Sequence, residues 1–158
     1  KAIKEHRQIV EVIDHEANIH PAWPILVSHN NTNGAIDACL LWVPSLNVAK
    51  VKISRKAPRI GQELYYIGSP AGIYHPPTVL MFKGIYSGPI DKSSAMWSAA
   101  TIGGSSGAAV LNLNNEIVGV VWGAHPAFHH ASVMTEYKAF LLFLISGLDK
   151  FKNSKTLQ

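Results

Sequence analysis

Apolar and polar positions alternate over most of the chain, and this pattern predicts short β-strands. In the first third, β-branched and aromatic residues form three such segments, at 9–14, 23–27 and 38–43. Pro24 within the second segment indicates an edge strand or a bulge, because proline lacks the N–H that a central strand donates. After a polar stretch, five more strand candidates follow closely, at 63–68, 79–87, 95–101, 108–113 and 117–122. The turn at 112–115 predicts a hairpin between the last two.

The pattern changes at residue 135, where apolar residues become dense. Thr135 and Glu136 precede this segment and Gly147 follows it, which is typical of the start and the end of a helix. We therefore expect a helix at 135–147 and a polar tail at 148–158. The longest apolar run, at 139–145, is far shorter than the roughly 20 residues of a membrane span. The sequence predicts no membrane-spanning helix.

The polar, proline-containing stretch at 44–58 separates two groups of strands. We expect a first β lobe at 1–50, a connection at 51–60 and a second β lobe at 61–134. The predicted fold class is therefore all-β with a C-terminal helix, and short strands in two lobes are compatible with two small barrels.

Composition supports a folded domain. The chain has 158 residues, of which 47% are hydrophobic and 15% charged, against about 25% charged in a typical domain. Such a chain can bury a core without metal or disulfides, and intrinsic disorder is excluded. The net charge is +4, from 14 basic and 10 acidic residues. Basic residues gather at both ends and at 50–59, but they do not interleave with aromatic residues, so we expect no nucleic-acid partner.

The chain contains a single cysteine, Cys39, which cannot form an internal disulfide. It lies in an apolar run, where a free thiol usually behaves as a small buried hydrophobic group. The sequence therefore predicts a buried Cys39. It also slightly favours a reducing compartment, such as the cytoplasm, including that of a virus's host cell.

A run of small residues between two candidate strands carries the candidate chemistry. Residues 103–107 read Gly-Gly-Ser-Ser-Gly. Glycine lets the backbone turn tightly and aim successive N–H groups to one side, which a binding site for a developing oxyanion requires. By composition alone, a flexible loop without function is an equally good interpretation.

Five separated segments carry a resemblance to one family. They read DACLLWV at 37–43, GQELYYIGSP at 61–70, FKGIYSG at 82–88, GSSGAAV at 104–110 and NEIVGVVWG at 115–123. In order and spacing they resemble the chymotrypsin-like serine proteases, in the style of the disulfide-poor HtrA-type, viral and phage members. The resemblance implies two antiparallel Greek-key β-barrels, of which this chain holds an incomplete first and a whole second.

The resemblance also implies roles for single residues. Ser106 would be the nucleophile, Asp37 the acid that orients a histidine, and the N–H groups of Gly104 and Ser106 the oxyanion hole. Ser105 stands where the family usually has Asp or Asn, so Ser105 remains an alternative nucleophile. Gly107, which follows the nucleophile in the family, favours Ser106.

The general base is the missing part of this assignment. Four histidines precede Asp37, and none has the family's context at the end of a strand: His6, His15, His20 and His29. We expect the base and the first strands to lie before Lys1 or on another chain, with His6 as a fallback. The resemblance further implies a substrate pocket, formed by Ala100, Val121, Trp122, Gly123 and His125.

Ala100 places no carboxylate in this pocket, which disfavours basic substrate side chains. His125 suggests a glutamine or glutamate side chain instead. As a metal site the histidines at 125, 129 and 130 lack a cysteine or carboxylate partner, so we expect no metal and no cofactor. The leading hypothesis is a serine endopeptidase that acts on protein or peptide substrates. The alternative is a protease-like module without catalysis, used for binding or structure.

Overall fold

The computed structural model describes residues 10–28, 36–75 and 78–155. Three strands form the first sheet: β1 (Val10–Ile13), β2 (Ile19–Ser28) and β3 (Ala38–Trp42), antiparallel in the order β1-β2-β3. β2 lies in the centre, and its register against β3 shifts between Pro24 and Leu26. Both interpretations of Pro24 fit the structure, because the register shift is a bulge, and among the described residues β1 pairs with β2 only up to Ala22, which leaves Pro24 a neighbour on the β3 side alone.

The second unit is a closed barrel. Its strands are β4 (Lys52–Ile53), β5 (Glu63–Gly68), β6 (Leu80–Pro89), β7 (Ser94–Trp97), β8 (Ala109–Asn112), β9 (Glu116–His125) and β10 (Phe128–Thr135). Neighbours pair in the order β10-β7-β6-β5-β8-β9-β4, and β9 also pairs with β10, so β5 to β10 close on themselves. The prediction of an all-β fold with a first barrel that is incomplete and a C-terminal helix is confirmed.

The barrel interior is filled by large side chains. Leu64, Tyr66, Trp97 and Met134 are all completely buried. Tyr66 stacks on Phe82 at 4.9 Å between ring centroids and meets the edge of Trp97 at 5.8 Å. Aromatic pairs at these separations add to the free energy of burial and hold each ring in one orientation. Tyr66 therefore presents its hydroxyl in a fixed direction.

Three elements of the barrel differ most from the sequence-based expectation. β7 ends at Trp97, four residues before the end of the strand predicted at 95–101. β10 was not predicted, because its first residues include the exposed His129 and His130, which hide the alternation that the buried Ser132 and Met134 continue. β4 lies inside the stretch that was expected to be only a connection, and it pairs in parallel with the start of β9.

The C-terminal helix α1 (Tyr137–Lys155) does not end at Gly147, so the predicted boundary and the polar tail from 148 are wrong. Gly147 is buried, and a Cβ atom there would lie 2.5 Å from a methyl carbon of Leu40. The glycine serves close packing of the helix against the first sheet rather than helix termination. At the helix start, a Glu136 side-chain oxygen accepts the N–H groups of Lys138 and Ala139. No helix in the described part of the chain combines the length and apolar character of a membrane span.

The turn between β1 and β2 ties the first sheet to its surroundings. Asp14 accepts hydrogen bonds from the backbone N–H groups of Glu16 and Asn18, both at 2.9 Å, and from the Asn18 side chain. Its other carboxylate oxygen lies 3.0 Å from Nε2 of His20, whose Nδ1 lies 3.0 Å from the Ser45 hydroxyl. Tyr74, from the second unit, donates to the Asp14 carbonyl at 2.8 Å. The contacts with His20 and Asn18 lower the pKa of Asp14 well below its usual range.

This pKa depression predicts a pH-dependent stability. A carboxyl group with a lowered folded-state pKa stabilises the fold above its unfolded pKa of about 3.9, and this contribution is lost as the pH falls. We expect Asp14→Asn to lower the urea midpoint at pH 7, and the difference from wild type to shrink steadily below about pH 5. Asp149→Asn, an exposed change on α1, serves as the control. A gap that stayed constant from pH 7 to pH 3 would contradict the prediction.

Candidate active site

A cleft separates the first sheet from the barrel, and it holds both residues expected to carry the chemistry. Asp37 and Ser106 line the same cavity of about 610 Å³, together with Val27, Trp122 and Phe140. Asp37 is exposed immediately before β3, and Ser106 is exposed three residues before β8. The fold thus brings to one opening two residues that are 69 positions apart in the sequence.

Several backbone donors of the loop before β8 bond to no described residue. The N–H of Ser105 donates to the Ile102 carbonyl at 2.9 Å, and the N–H of Gly107 donates to the Val121 carbonyl at 2.8 Å. The N–H groups of Gly103, Gly104 and Ser106 make no hydrogen bond with any described residue, and those of Gly104 and Ser106 stand on either side of Ser105 in the sequence. Unpaired N–H groups on alternate residues of a tight turn are the geometry that binds an oxyanion.

Steric constraints around this loop admit only glycine at one position. Gly104 has φ +95°, and a Cβ atom there would lie 2.7 Å from the Ser69 carbonyl oxygen. The neighbouring chain is tied to the loop, since Ala71 donates its N–H to the Gly103 carbonyl at 2.7 Å. Ala71 itself adopts φ +54°, a left-handed conformation that is strained for alanine. The segment after β5 therefore braces the loop before β8.

Ser105 and Ser106 have opposite environments. Ser105 is 1% exposed, and its hydroxyl lies 3.1 Å from the Tyr66 hydroxyl and accepts the Ile102 N–H at 3.3 Å. Ser106 is exposed, and its hydroxyl donates to the Trp122 carbonyl at 3.4 Å. This second hydrogen bond is long for two oxygen atoms and is easily exchanged. Only the hydroxyl of Ser106 is open to an attacking geometry.

A smaller cavity of about 230 Å³ adjoins Ser106. It includes three residues of the expected pocket: Val121, Gly123 and His125. Trp122 lines the larger cleft instead, and Ala100 is half-buried with its carbonyl accepting the Tyr66 hydroxyl at 2.7 Å. Thr101 and His129 also line the small cavity, and sequence reasoning missed both. Thr101 directly follows Ala100, so its position next to a predicted pocket residue was the available signal.

Thr101 gives this cavity a polar wall. Ser132 donates its hydroxyl to the Ala99 carbonyl at 2.5 Å, so the Thr101 hydroxyl, 2.6 Å from the Ser132 oxygen, acts as the donor between them. The Thr101 oxygen then keeps its lone pairs for another partner. No acidic residue is among the described residues that line the cavity. The pocket offers a neutral acceptor and imidazole groups, but no carboxylate.

Comparison with known proteins places the chain in a family. The sequence profile of the trypsin-like peptidase domain matches residues 2–120. The chain belongs to the trypsin-like peptidase domain family. No curated protein sequence matches it.

Solved structures share the fold at low sequence identity. A serine endoprotease from Yersinia pestis is 19% identical over 90% of this chain and 49% of its own, with a TM-score of 0.72. The HtrA-type protease AlgW with a decapeptide is 18% identical over 90% of this chain and 45% of its own, with a TM-score of 0.73. A protease of M. tuberculosis in its active form is 18% identical over 81% of this chain and 62% of its own, with a TM-score of 0.64. The chain thus spans about half the length of the first two.

In a trypsin-like peptidase domain, a histidine between the acid and the serine is expected. Among its described residues, the cleft shared by Asp37 and Ser106 contains no histidine. His20 is engaged with Asp14 and Ser45 at the start of β2, about 25 Å along the strand from Ser28 beside β3. His15 is exposed beside Glu16. His6 and His29 lie outside the described residues.

Cys39 differs from its prediction. It is exposed and lines the cleft, because β3 is an outer strand of the first sheet as described and residues 37–41 all border the opening. Partial burial raises the pKa of the thiol, so Cys39 is protonated and a poor nucleophile at neutral pH. Within the described ranges, no group of three His, Cys, Asp or Glu side chains is placed to hold a metal ion.

Tyr66 holds the loop before β8 in shape through the hydrogen bonds of its hydroxyl with Ala100 and Ser105. Tyr66→Phe would leave the buried Ser105 hydroxyl and Ala100 carbonyl without their shared partner, at a cost of about 1–3 kcal/mol in unfolding free energy. We expect this loss in urea unfolding and faster hydrogen exchange of the Ile102 amide. Tyr65→Phe is the matched control on the same strand, because its hydroxyl bonds to Asn115 at the surface. Equal stabilities of the two variants would refute the positioning role of Tyr66.

Proposed function

We propose that this chain is the nucleophile-bearing part of a serine endopeptidase, which hydrolyses peptide bonds through an acyl-enzyme on Ser106. One observation carries the proposal: the hydroxyl of Ser106 is exposed, and the N–H groups of Gly104 and of Ser106 itself, in the same turn, bond to no described residue. A nucleophile and an oxyanion site within one turn are the minimum apparatus for acyl transfer.

The chemistry follows from these groups. The Ser106 oxygen attacks the carbonyl carbon of the scissile bond while a general base takes its proton. Negative charge develops on the carbonyl oxygen, and the N–H groups of Gly104 and Ser106 stabilise it. The tetrahedral intermediate collapses, the C–N bond breaks, and the amine leaves with the proton. Water then attacks the acyl-enzyme, which releases the acid and restores the hydroxyl.

Asp37 would orient the base and stabilise its charged form, because it opens onto the same cleft as Ser106. The histidine itself we assign to residues outside the described ranges: a segment before Lys1, another chain, or His6. Each of these would have to enter the cleft between Asp37 and Ser106, where the Asp37 carboxylate is exposed and could accept a ring N–H.

A fluorophosphonate probe tests the nucleophile, because it labels only an activated serine. We expect peptide mass spectrometry to locate the adduct on Ser106 in the full-length natural protein. Ser106→Ala should abolish labelling, whereas Ser105→Ala should retain it at a reduced rate, since Ser105 only positions the loop. Labelling of the 158-residue chain as well would assign the base to this chain and promote His6.

Two results would contradict the proposal. A folded full-length protein that gives no adduct would leave the non-catalytic, protease-like binding module as the better hypothesis. An adduct that persists in Ser106→Ala and disappears in Ser105→Ala would move the nucleophile to Ser105.

The small cavity indicates the substrate side chain. We propose that it receives a neutral, hydrogen-bonding side chain such as glutamine, which would donate to the Thr101 oxygen and accept from His125. Its volume of about 230 Å³ suits a medium-sized group. Arginine or lysine would be buried without a carboxylate partner, which is costly.

A peptide library that varies the residue before the cleaved bond tests this pocket. We expect glutamine to be preferred over arginine and lysine. His125→Ala should lower kcat/KM for the glutamine peptide about tenfold, the worth of one hydrogen bond to substrate. His130→Ala, which removes a neighbouring imidazole that does not line the cavity, should change kcat/KM little. A preference for basic residues would overturn the proposed specificity.

A further inference from the structure

A second cleft lies at the opposite end of β8 from Ser106. It runs between residues 54–62 of the connection and residues 112–116 of the turn before β9, and encloses about 680 Å³. We call it the basic groove. None of the described residues that line it lines either of the two cavities beside Ser106. The basic groove is therefore separate from the candidate active site.

The groove carries three unpaired cations. Arg55, Lys56 and Arg59 line it and are exposed, and none forms an ion pair with a described residue. Glu116 is the acidic lining residue, and one of its carboxylate oxygens accepts the Asn112 side-chain amide at 3.0 Å. Three cations and one anion give the described lining a net charge of +2. The groove therefore attracts anionic groups.

The backbone beneath these cations is held firmly. Asn112 is buried, and its side-chain oxygen accepts the N–H groups of Asn114 and Glu116 at 2.9 and 3.0 Å. On the other wall, Ser54 donates its N–H to the Ile117 carbonyl at 2.9 Å, and Tyr137 donates to the Ser54 carbonyl at 2.8 Å. The Ser54 hydroxyl also accepts the Lys56 N–H at 3.3 Å. Both walls are preorganised, so a ligand would order little beyond the cationic side chains.

We propose that the basic groove binds an acidic peptide segment. Arginine guanidinium groups match carboxylates in a two-pronged geometry, and the groove presents two of them, Arg55 and Arg59. Its side-chain amides, from Gln62 and Asn114, can bond to peptide groups between the acidic side chains. The described lining contains no aromatic side chain on which a base could stack, which favours a peptide over a single-stranded nucleic acid.

A fluorescein-labelled decaglutamate peptide tests the proposal by fluorescence anisotropy. The protein is the whole chain carrying Ser106→Ala, so that binding is measured without cleavage and independently of whether Ser106 is a nucleophile. We expect saturable binding that weakens as the salt concentration rises. Changing Arg55, Lys56 and Arg59 together to Gln should weaken it at least about tenfold.

The matched control changes Lys92, Lys138 and Lys150 to Gln, which removes the same charge elsewhere on the surface. Circular dichroism and urea unfolding establish that both triple variants fold. The control should bind within about twofold of the parent. The proposal is overturned by absence of saturable binding up to roughly 1 mM protein, by equal losses in the two triple variants, or by a labelled oligothymidine that binds at the groove more tightly than the peptide.

Discussion

The hydrogen bond between the buried hydroxyls of Tyr66 and Ser105 determines the shape of the candidate active site. Each hydrogen bond among these residues has a defined donor and acceptor. Tyr66 donates to the Ala100 carbonyl, so Ser105 must donate to Tyr66, and Ser105 in turn accepts the Ile102 N–H. Burial raises the pKa of Tyr66, which keeps it a neutral donor at physiological pH. With Ser105 drawn inward, the N–H groups of Gly104 and Ser106 are left free beside the exposed hydroxyl.

This arrangement holds the loop before β8 in place without a charged side chain. The family pattern usually places Asp or Asn at position 105, whereas serine is shorter and neutral. A shorter side chain needs its partner close by, and Tyr66 supplies it because Phe82 and Trp97 hold the phenol ring in place. The strain at Ala71, of order 1–3 kcal/mol, is sustained because its N–H is tied to the Gly103 carbonyl.

A feature of the fold or of the candidate site could be predicted from the sequence only where a local sequence pattern indicates it. The bounds of β5 were predicted to the residue, because Leu64 and Tyr66 alternate with outward-facing neighbours. The end of α1 was predicted wrongly, because Gly147 packs closely against Leu40. This is a tertiary contact that no local sequence pattern reveals. Exposed histidines concealed β10. In the site, Ser106 and Gly104 follow from a motif, whereas Tyr66 and Thr101 act through contacts with residues more than 30 positions away.

The same contrast between local and tertiary contacts distinguishes the two units of the structure. The barrel closes on itself, and the hydrogen bonds that shape its loop before β8 come from Tyr66 and Ala71 of the same unit. The first sheet ends at β1 on one side and β3 on the other, and it reaches the barrel side through α1 and through Tyr74 bonded to the Asp14 carbonyl. The position of Asp37 relative to Ser106 therefore depends on how these contacts dock the sheet. A base that enters the cleft from outside the described residues would contact both units, and its binding would stabilise that docking as well as activate Ser106.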